Sequence, residues 1–148
     1  MSDPVSRIFE ELDSRILASI ANWTIEQSIM IQRIPAPTFQ EAERAAYVAE
    51  QMKAFGLNQV EIDDTDNVYG LLTGADQDAL NLMISAHLDT VFPINTDLSI
   101  KREHDTIFGP GLGDNSMGVA SLLAIAHYLR DTRTVPACNL WLVATTRE

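Results

Sequence analysis

Apolar residues recur at helical spacing in the N-terminal part of the chain and predict an amphipathic helix there. The stripe consists of Ile8, Leu12, Ile16 and Ile20, widened by Phe9, Leu17 and Trp23. The helix is expected to begin near Pro4, which suits a first helical turn, and to end near Ile31. Prolines at positions 35 and 37 then disfavour helical backbone in the residues before them.

A second helix is predicted directly after these prolines. Thr38 and Glu41 have capping-box spacing. The Thr38 hydroxyl is therefore expected to cap the amide of Glu41, whose carboxylate would reach back to Thr38. Gly56 suits the left-handed end of this helix.

Runs of apolar residues predict four strands and a third helix in the rest of the chain. Short runs at 60–62 and 68–72 predict a β-hairpin. Nearly continuous apolar runs at 80–86 and 140–144 are typical of strands buried on both faces. A helix is expected over 116–130, with Met117, Ala120, Leu123, Ala124 and Ile125 facing inward.

Buried strands that alternate with helices indicate an α/β fold, with a mixed, mostly buried sheet covered by helices. The 148 residues, 46% of them hydrophobic, suffice for one domain with its own core. A formal charge of −11 argues against a nucleic-acid partner and favours a small-molecule or peptide partner.

Redox and targeting features are sparse. Cys138 is the only cysteine, so no disulfide forms within the chain, and it is expected to be a small buried residue. The N-terminus lacks the basic start and apolar core of a signal peptide, and no apolar run reaches the ~20 residues that span a bilayer. The sequence therefore predicts a cytoplasmic protein without a membrane partner.

A histidine and a carboxylate follow the first fully apolar run. His87 and Asp89 stand in His-x-Asp spacing at the end of a predicted strand, where open α/β sheets place their ligands. Histidine is the commonest metal ligand, and a carboxylate two residues later can hold its second ring nitrogen in one tautomer. By itself the pattern is equally typical of a structural histidine.

Two further carboxylates lie at comparable positions. Asp114 follows the glycine-rich loop 109–113 and precedes a helix, so it is either a metal ligand or a helix N-cap, with Asn115 as its rival. Glu148 follows the second apolar strand and is expected at the same sheet edge as His87. No Lys-Ser/Thr pair follows the glycine loop, which excludes a phosphate-binding loop.

Other catalytic arrangements have little support in the sequence. It contains no Gly-x-Ser-x-Gly elbow of a serine hydrolase, and nothing selects a glycosidase pair from its 21 acidic residues. His104 lies in a polar stretch and His127 late in a helix, so neither is expected in the site.

Three motifs, taken in order, resemble the N-terminal motifs of a known family. They are His87-Leu88-Asp89-Thr90-Val91-Phe92-Pro93, Gly109-Pro110-Gly111-Leu112-Gly113-Asp114 and Ala144-Thr145-Thr146-Arg147-Glu148. The family is that of the co-catalytic di-zinc peptidases and amidohydrolases, which includes peptidase T, acetylornithine deacetylase, aminoacylase and the glutamate carboxypeptidases. Residues 34–38 and 66–68 match its usual lead-in. The Asp-Asn-x-x-Gly run at 114–118 also resembles related aminopeptidases that lack the inserted domain.

The resemblance implies a role for each candidate residue. His87 would bind one zinc ion and Asp114 would bridge two, with cobalt as an alternative metal. Asp89 would orient His87, and Glu148 would be the general base, because it matches the first glutamate of the family's Glu-Glu pair. Residues 1–148 would form the N-terminal portion of the catalytic domain, with the remaining ligands and a lid or dimerisation domain outside this chain.

The resemblance therefore implies hydrolysis of an amide bond by water that zinc activates and Glu148 deprotonates. An exopeptidase acting on small peptides is expected, with an N-acyl amino acid deacylase or amidase as the alternative. A non-catalytic remnant or binding module of the same fold is the other alternative. The 148-residue chain alone is expected to be inactive, and a homodimer would form through the further domain.

Overall fold

The computed structural model describes residues 14–76, 78 and 80–148 of the chain. Its helices are α1 (Ser14–Gln32), α2 (Ala42–Ala54) and α3 (Met117–Thr132), and a short π-turn (Leu112–Ser116) precedes α3. Its strands are β1 (Asn58–Ile62), β2 (Val68–Leu72), β3 (Leu82–His87), β4 (Lys101–Glu103), β5 (Thr106–Phe108) and β6 (Leu140–Thr145).

The predicted end of α1 is confirmed. The helix ends at Gln32, one residue beyond the expected Ile31, just before the prolines that disfavour helical backbone. Its predicted start near Pro4 lies outside the described residues. The helix packs against α3 and buries Ile29 and Ile31.

The capping box predicted for α2 is wrong. The helix begins at Ala42 with Glu41 as its N-cap residue, so Thr38 lies outside it. The Thr38 hydroxyl donates instead to Asp89 Oδ2 at 3.1 Å, and the Glu41 carboxylate accepts from the Phe39 amide at 3.0 Å. The Thr38 hydroxyl, which the local pattern assigned to the helix N-terminus, therefore bonds to Asp89, a residue distant in sequence. The predicted end is confirmed, since Gly56 follows the helix with a φ of 82°.

Four strands form one mixed sheet in the order β1-β2-β6-β3. The predicted hairpin is confirmed, because β1 and β2 pair antiparallel. β6 pairs antiparallel with β2 on one side and parallel with β3 on the other. This central position explains why Leu142 and Ala144 are fully buried in β6, as the sequence predicted.

The first apolar run suits a strand buried on both faces, but within the described residues it is not covered on both. Among the described residues β3 pairs with β6 alone and forms an edge of the sheet. Leu82 and Met83 are 53% and 59% exposed, and Leu80 before them is 92% exposed. An apolar run shows that a strand is suited to burial, but it does not show which neighbours cover it.

The helices cover the sheet and enclose the hydrophobic core. α2 packs on β1 and β2, while α3 packs on β3 and β6. Alternate strand residues such as Val68 and Leu142 meet Val48, Met52 and Leu123 of the helices, and all five are almost fully buried. Each such side chain contributes roughly 1.5–3 kcal/mol through its removal from water. The predicted α/β fold with a mixed sheet is confirmed.

The inward face of α3 is confirmed in part. Ala120, Leu123 and Ala124 are buried as predicted, whereas Met117 and Ile125 are only half-buried. Cys138, expected to be buried, is also half-buried.

A second, two-stranded sheet was not predicted. β4 and β5 pair antiparallel across a turn that contains His104. Their residues are largely polar and exposed, so they carry little of the alternation that reveals a strand. Within the described ranges, no helix combines the length and apolar character needed to cross a membrane.

One carboxylate holds the turn between β1 and β2. Asp63 accepts five hydrogen bonds of 2.8 to 3.2 Å, from the main-chain and side-chain groups of Thr65 and Asn67 and from the Tyr69 hydroxyl. The side-chain amide of Asn67 is the largest of the causes that hold the pKa of Asp63 far below its ordinary value. The turn is therefore most stable when Asp63 is ionised.

We expect Asp63→Asn to destabilise the complete protein at pH 7 by about 1 kcal/mol, a value kept small by the exposure of the turn. Because the pKa of Asp63 is lower in the folded protein, its stabilisation is present above the ordinary aspartate pKa and is lost as the pH falls below it. Urea unfolding should therefore show the difference from wild type shrinking between about pH 4 and pH 2. Asp64→Asn in the same turn is the control, and a constant difference for Asp63→Asn would contradict this role.

Candidate metal centre

Two parallel strands bring the predicted ligand loops together. β3 ends at His87 and β6 ends at Thr145, and these two residues are partners in the register. The carboxyl ends of neighbouring parallel strands lie at one edge of a sheet, so the two loops start side by side. Glu148 follows shortly after β6 and reaches His87, as the sequence predicted.

His87 is held by a main-chain carbonyl and faces two carboxylates. Its Nδ1 atom donates to the main-chain oxygen of Asp89 at 3.1 Å. Because a carbonyl only accepts, Nδ1 carries a proton in this contact, and in a ring without a second proton Nε2 carries a lone pair. Nε2 lies 3.0 Å from Asp114 Oδ1 and 3.2 Å from Glu148 Oε2.

His87 Nε2 and the Asp114 carboxylate are of the ligand types that zinc takes in proteins. Three electron-pair donors that face one another repel unless a cation lies among them or the ring takes up a second proton. Ligand atoms about 2.0–2.2 Å from one tetrahedral zinc ion lie roughly 3.3–3.6 Å apart, so the separations of 3.0 and 3.2 Å are somewhat shorter than those around a bound ion. Within the part of the chain that the structure describes, no group of three or more His, Cys, Asp or Glu is arranged so that it could hold a metal ion. The role of His87 and Asp114 as metal ligands therefore stays a prediction.

Asp114 reaches the site through a tight loop. Gly111 has a left-handed φ of 69°, Asp114 is extended with φ −129°, and the peptide bond from Asp114 to Asn115 is cis. Ser116 is the N-cap residue of α3, so the alternative role of Asp114 or Asn115 as helix N-cap is wrong. The Asp114 side chain is 92% exposed and available to a ligand. Gly118 permits the loop, since a Cβ there would lie 2.0 Å from Asn115 Oδ1.

Asp89 connects the site to the loops around it. Its buried carboxylate accepts from the Thr38 hydroxyl at 3.1 Å and from the Glu148 amide at 3.3 Å. Its Oδ1 atom lies 3.6 Å from His87 Nδ1, so the carboxylate is farther from the ring than the main-chain oxygen of the same residue. The predicted orienting role of Asp89 stays a prediction, with the carbonyl as its closest contact.

Sequence reasoning did not identify Arg44, a fully buried cation behind the site. Its guanidinium donates to the main-chain oxygens of Leu88 and Ile34, and it thereby joins the chain after β3 to the proline-rich loop. Burial lowers the pKa of Arg44 to about 10, and the charge of Asp89 opposes this shift, so the side chain stays charged at neutral pH. Arg44 is four residues before the buried Val48 and therefore lies on the apolar face of α2. This spacing was the one feature of the sequence that could have indicated its burial.

Gln32 is a second missed residue. It is the last residue of α1 and is fully buried. Its Nε2 atom donates to the carbonyls of Leu98 and Pro110 at 3.1 and 3.0 Å, which anchors the glycine loop that leads to Asp114. No pattern in the sequence links a glutamine at a helix end to a loop so far along the chain.

Two open clefts meet at the candidate ligands. A cleft of about 630 Å³ and another of about 340 Å³ share His87, Asp114 and Glu148. The larger cleft extends along the apolar side chains of Val91 and Phe92. The two carboxylates are thus open to solvent.

The other histidines lie outside the clefts, as the sequence predicted. His104 occupies the turn between β4 and β5. His127 stacks on Phe55, contacts Trp23 edge-on and lies 3.1 Å from Asp131. Its surroundings are those of a packed aromatic cluster.

A family model and several solved structures match the chain. The model of peptidase family M28 matches residues 67–148, which is more than half of the chain and includes His87, Asp89, Asp114 and Glu148. A search of the curated proteins finds no significant match.

The solved structures share the fold at low sequence identity. Aminopeptidase PepT from Bacillus cereus has a TM-score of 0.73 at 20% identity, over 84% of this chain and 36% of its own. A hydantoinase/carbamoylase family amidase from Burkholderia ambifaria has a TM-score of 0.62 at 22% identity, over 91% and 30%. A dinuclear metal-binding peptidase of family M20 from Bacillus subtilis has a TM-score of 0.61 at 16% identity, over 92% and 37%.

This chain spans about a third of the length of these three proteins. The predicted resemblance to the peptidase T group of metallopeptidases and amidohydrolases is confirmed, and so is its fold. The roles of the individual site residues stay predictions.

We expect Arg44→Lys to destabilise the complete protein by about 2–3 kcal/mol, because an ammonium group cannot reproduce the guanidinium fork between the Leu88 and Ile34 carbonyls. Thermal unfolding measures this loss. Arg33→Lys, at an exposed position, is the matched control and should leave the melting temperature nearly unchanged. Equal melting temperatures for the two variants would show that the buried fork is dispensable.

Proposed function

This chain belongs to peptidase family M28, and from that premise we propose that the complete protein is a metal-dependent hydrolase of amide bonds. The observation that carries this proposal is the position of His87 Nε2 between Asp114 and Glu148, at the carboxyl edge of two parallel strands. Because the chain spans only about a third of the solved relatives, the activity is proposed for the whole protein.

His87 and Asp114 would hold the metal. An imidazole nitrogen and an exposed carboxylate are ordinary zinc ligands, and the free second oxygen of Asp114 would let it bridge two ions. Bound zinc, or cobalt in its place, would polarise the scissile carbonyl and lower the pKa of the attacking water. The residues that complete the ligand set would come from outside this chain.

Glu148 would act as the general base. Its carboxylate is 72% exposed, lines both clefts and lies beside His87, so it can meet water and substrate together. It would accept a proton from the attacking water and return it to the leaving amine. Asp89 would keep the His87 ring in place through its carbonyl, so that Nε2 faces the ligand space.

The proposed substrates are small peptides, with N-acyl amino acids as the alternative. The family match and the names of the PepT and M20 structures favour a peptidase, while the amidase from Burkholderia ambifaria supports the alternative. A panel of dipeptides, tripeptides and N-acetyl amino acids, tested on the complete protein, separates the two classes. The 148-residue chain alone, with its partial ligand set, should hydrolyse none of them.

We expect the complete protein to lose its hydrolytic activity after exhaustive treatment with a chelator and to regain it with zinc or cobalt. The cluster of lone pairs at His87, Asp114 and Glu148 requires a cation to become productive. Activity on the best substrate of the panel is measured before and after metal removal. Undiminished turnover by metal-free protein would falsify the proposed chemistry.

We expect Glu148→Gln to abolish turnover while the metal content stays at about two ions per chain. Glutamine keeps the shape of the side chain but cannot accept the proton, so kcat should fall by orders of magnitude. Asp114→Ala should instead lose metal. Metal analysis and steady-state kinetics of both variants test this assignment, and the opposite pattern would mean that the two roles are exchanged.

A further inference from the structure

We propose that the turn 63–67 positions Glu148, with Asn67 as the positioning residue that links this turn to the end of β6. The inference rests on the proposed function of Glu148 as general base. It concerns a residue pair, Asn67 and Thr146, that contacts neither the candidate ligands nor the clefts. Its basis is a set of hydrogen bonds that spans the sheet from the hairpin turn to the loop after β6.

The side-chain amide of Asn67 connects two segments that are far apart in sequence. Its Nδ2 atom donates to Asp63 Oδ2 at 2.9 Å and to Thr65 Oγ1 at 2.8 Å, which locks the amide into the turn. Its Oδ1 atom accepts from the main-chain amide of Thr146 at 2.8 Å. Both ends of one planar group are thus engaged, so the turn determines where the Thr146 amide lies.

Thr146 adds a second link to the same turn. Its hydroxyl donates to the main-chain oxygen of Thr65 at 2.7 Å and lies 3.2 Å from Asn67 Oδ1. Thr146 directly follows β6. Its contacts therefore hold the chain in place one residue beyond the last paired residue of the strand. The hairpin turn therefore holds the start of the segment that carries Glu148.

One residue, Arg147, separates this anchor from Glu148. Arg147 has a left-handed φ of 63°, and its guanidinium lies over the ring of Phe39 at 5.2 Å. The amide of Glu148 then donates to Asp89 Oδ1 at 3.3 Å, a long hydrogen bond. The contacts at Thr146 are the shorter of the two main-chain anchors on either side of Arg147, and the Glu148 carboxylate lies 3.2 Å from His87.

The placement of a general base affects the chemical step more than substrate binding. A displacement of about 1 Å at a reacting group lowers the rate by about a hundredfold. Loss of the Asn67 contacts should therefore reduce kcat and leave KM and metal content nearly unchanged, since His87 and Asp114 keep their own supports. A purely structural role would instead lower the melting temperature without changing kcat of the folded enzyme.

The test compares Asn67→Ala with Asn58→Ala in the complete, metal-loaded protein. Asn58 is the matched control, because its side-chain amide makes a hydrogen bond to Thr73 Oγ1 at the other end of the same hairpin. We expect Asn67→Ala to lower kcat by about ten- to a hundredfold with KM within about twofold of wild type. The control should retain wild-type kcat.

Thr146→Val and Thr146→Ser provide a second, independent pair. Valine keeps the shape but removes the hydroxyl, so kcat should fall by about three- to tenfold, and serine, which restores the hydroxyl, should recover most of it. Hydrogen exchange supplies a readout that does not depend on turnover, because the Thr146 amide should exchange about tenfold faster in Asn67→Ala than in Asn58→Ala.

The outcomes separate this inference from the proposed function. If Glu148→Gln abolishes turnover but Asn67→Ala and Thr146→Val keep kcat within twofold of the Asn58→Ala control, the positioning role is wrong and the general base stands. If Glu148→Gln retains activity, the proposed function itself fails. Should Asn67→Ala not fold, the contrast between valine and serine at position 146 decides the question.

Discussion

The parallel pairing of β3 with β6 is the constraint on which the rest of the site depends. It sets His87 opposite Thr145, and the main-chain bond from the Leu88 amide to the Thr145 carbonyl, 2.6 Å long, continues the pairing past the strand end. Side chains alternate between the faces of a strand, so a slip of one residue would turn His87 away from Glu148. β6 is an inner strand that also pairs with β2, whereas β3 is an edge strand of the described sheet, so pairing with β6 sets the register of β3.

Buried polar groups hold the loops that leave this edge. Arg44 and Gln32 donate to loop carbonyls, and Asp89 accepts from Thr38 and Glu148. Such contacts suit loops, which have few apolar side chains to bury but many main-chain groups that need partners. These buried hydrogen bonds hold the loops that carry Asp114 and Glu148. The exposed carboxylates of the two residues can therefore lie on either side of His87.

Local sequence patterns predicted an element correctly where neighbouring residues determine it. They failed where a residue distant in sequence takes the hydrogen bond that the pattern assigned to a neighbour. The hairpin of β1 and β2, the end of α2 at Gly56 and the central strand β6 follow from turn residues and apolar runs. Thr38 had the spacing of a helix cap, yet its hydroxyl bonds to Asp89. Arg44 was not singled out in the sequence, because its burial depends on loop carbonyls that only the fold brings to it.

The sequence by itself determined the three helices, the four strands of the main sheet, the α/β class and the candidate residues His87, Asp89, Asp114 and Glu148, since each follows from local periodicity or from a short motif. Only the tertiary structure decided that β3 is an exposed edge, that Asp114 is free of the helix cap, and that Asn67 lies against Thr146. The physical reason is that strand neighbours and the partners of buried polar groups are set by non-local packing. Local sequence records how suited a residue is to burial or hydrogen bonding, and the fold selects its partner.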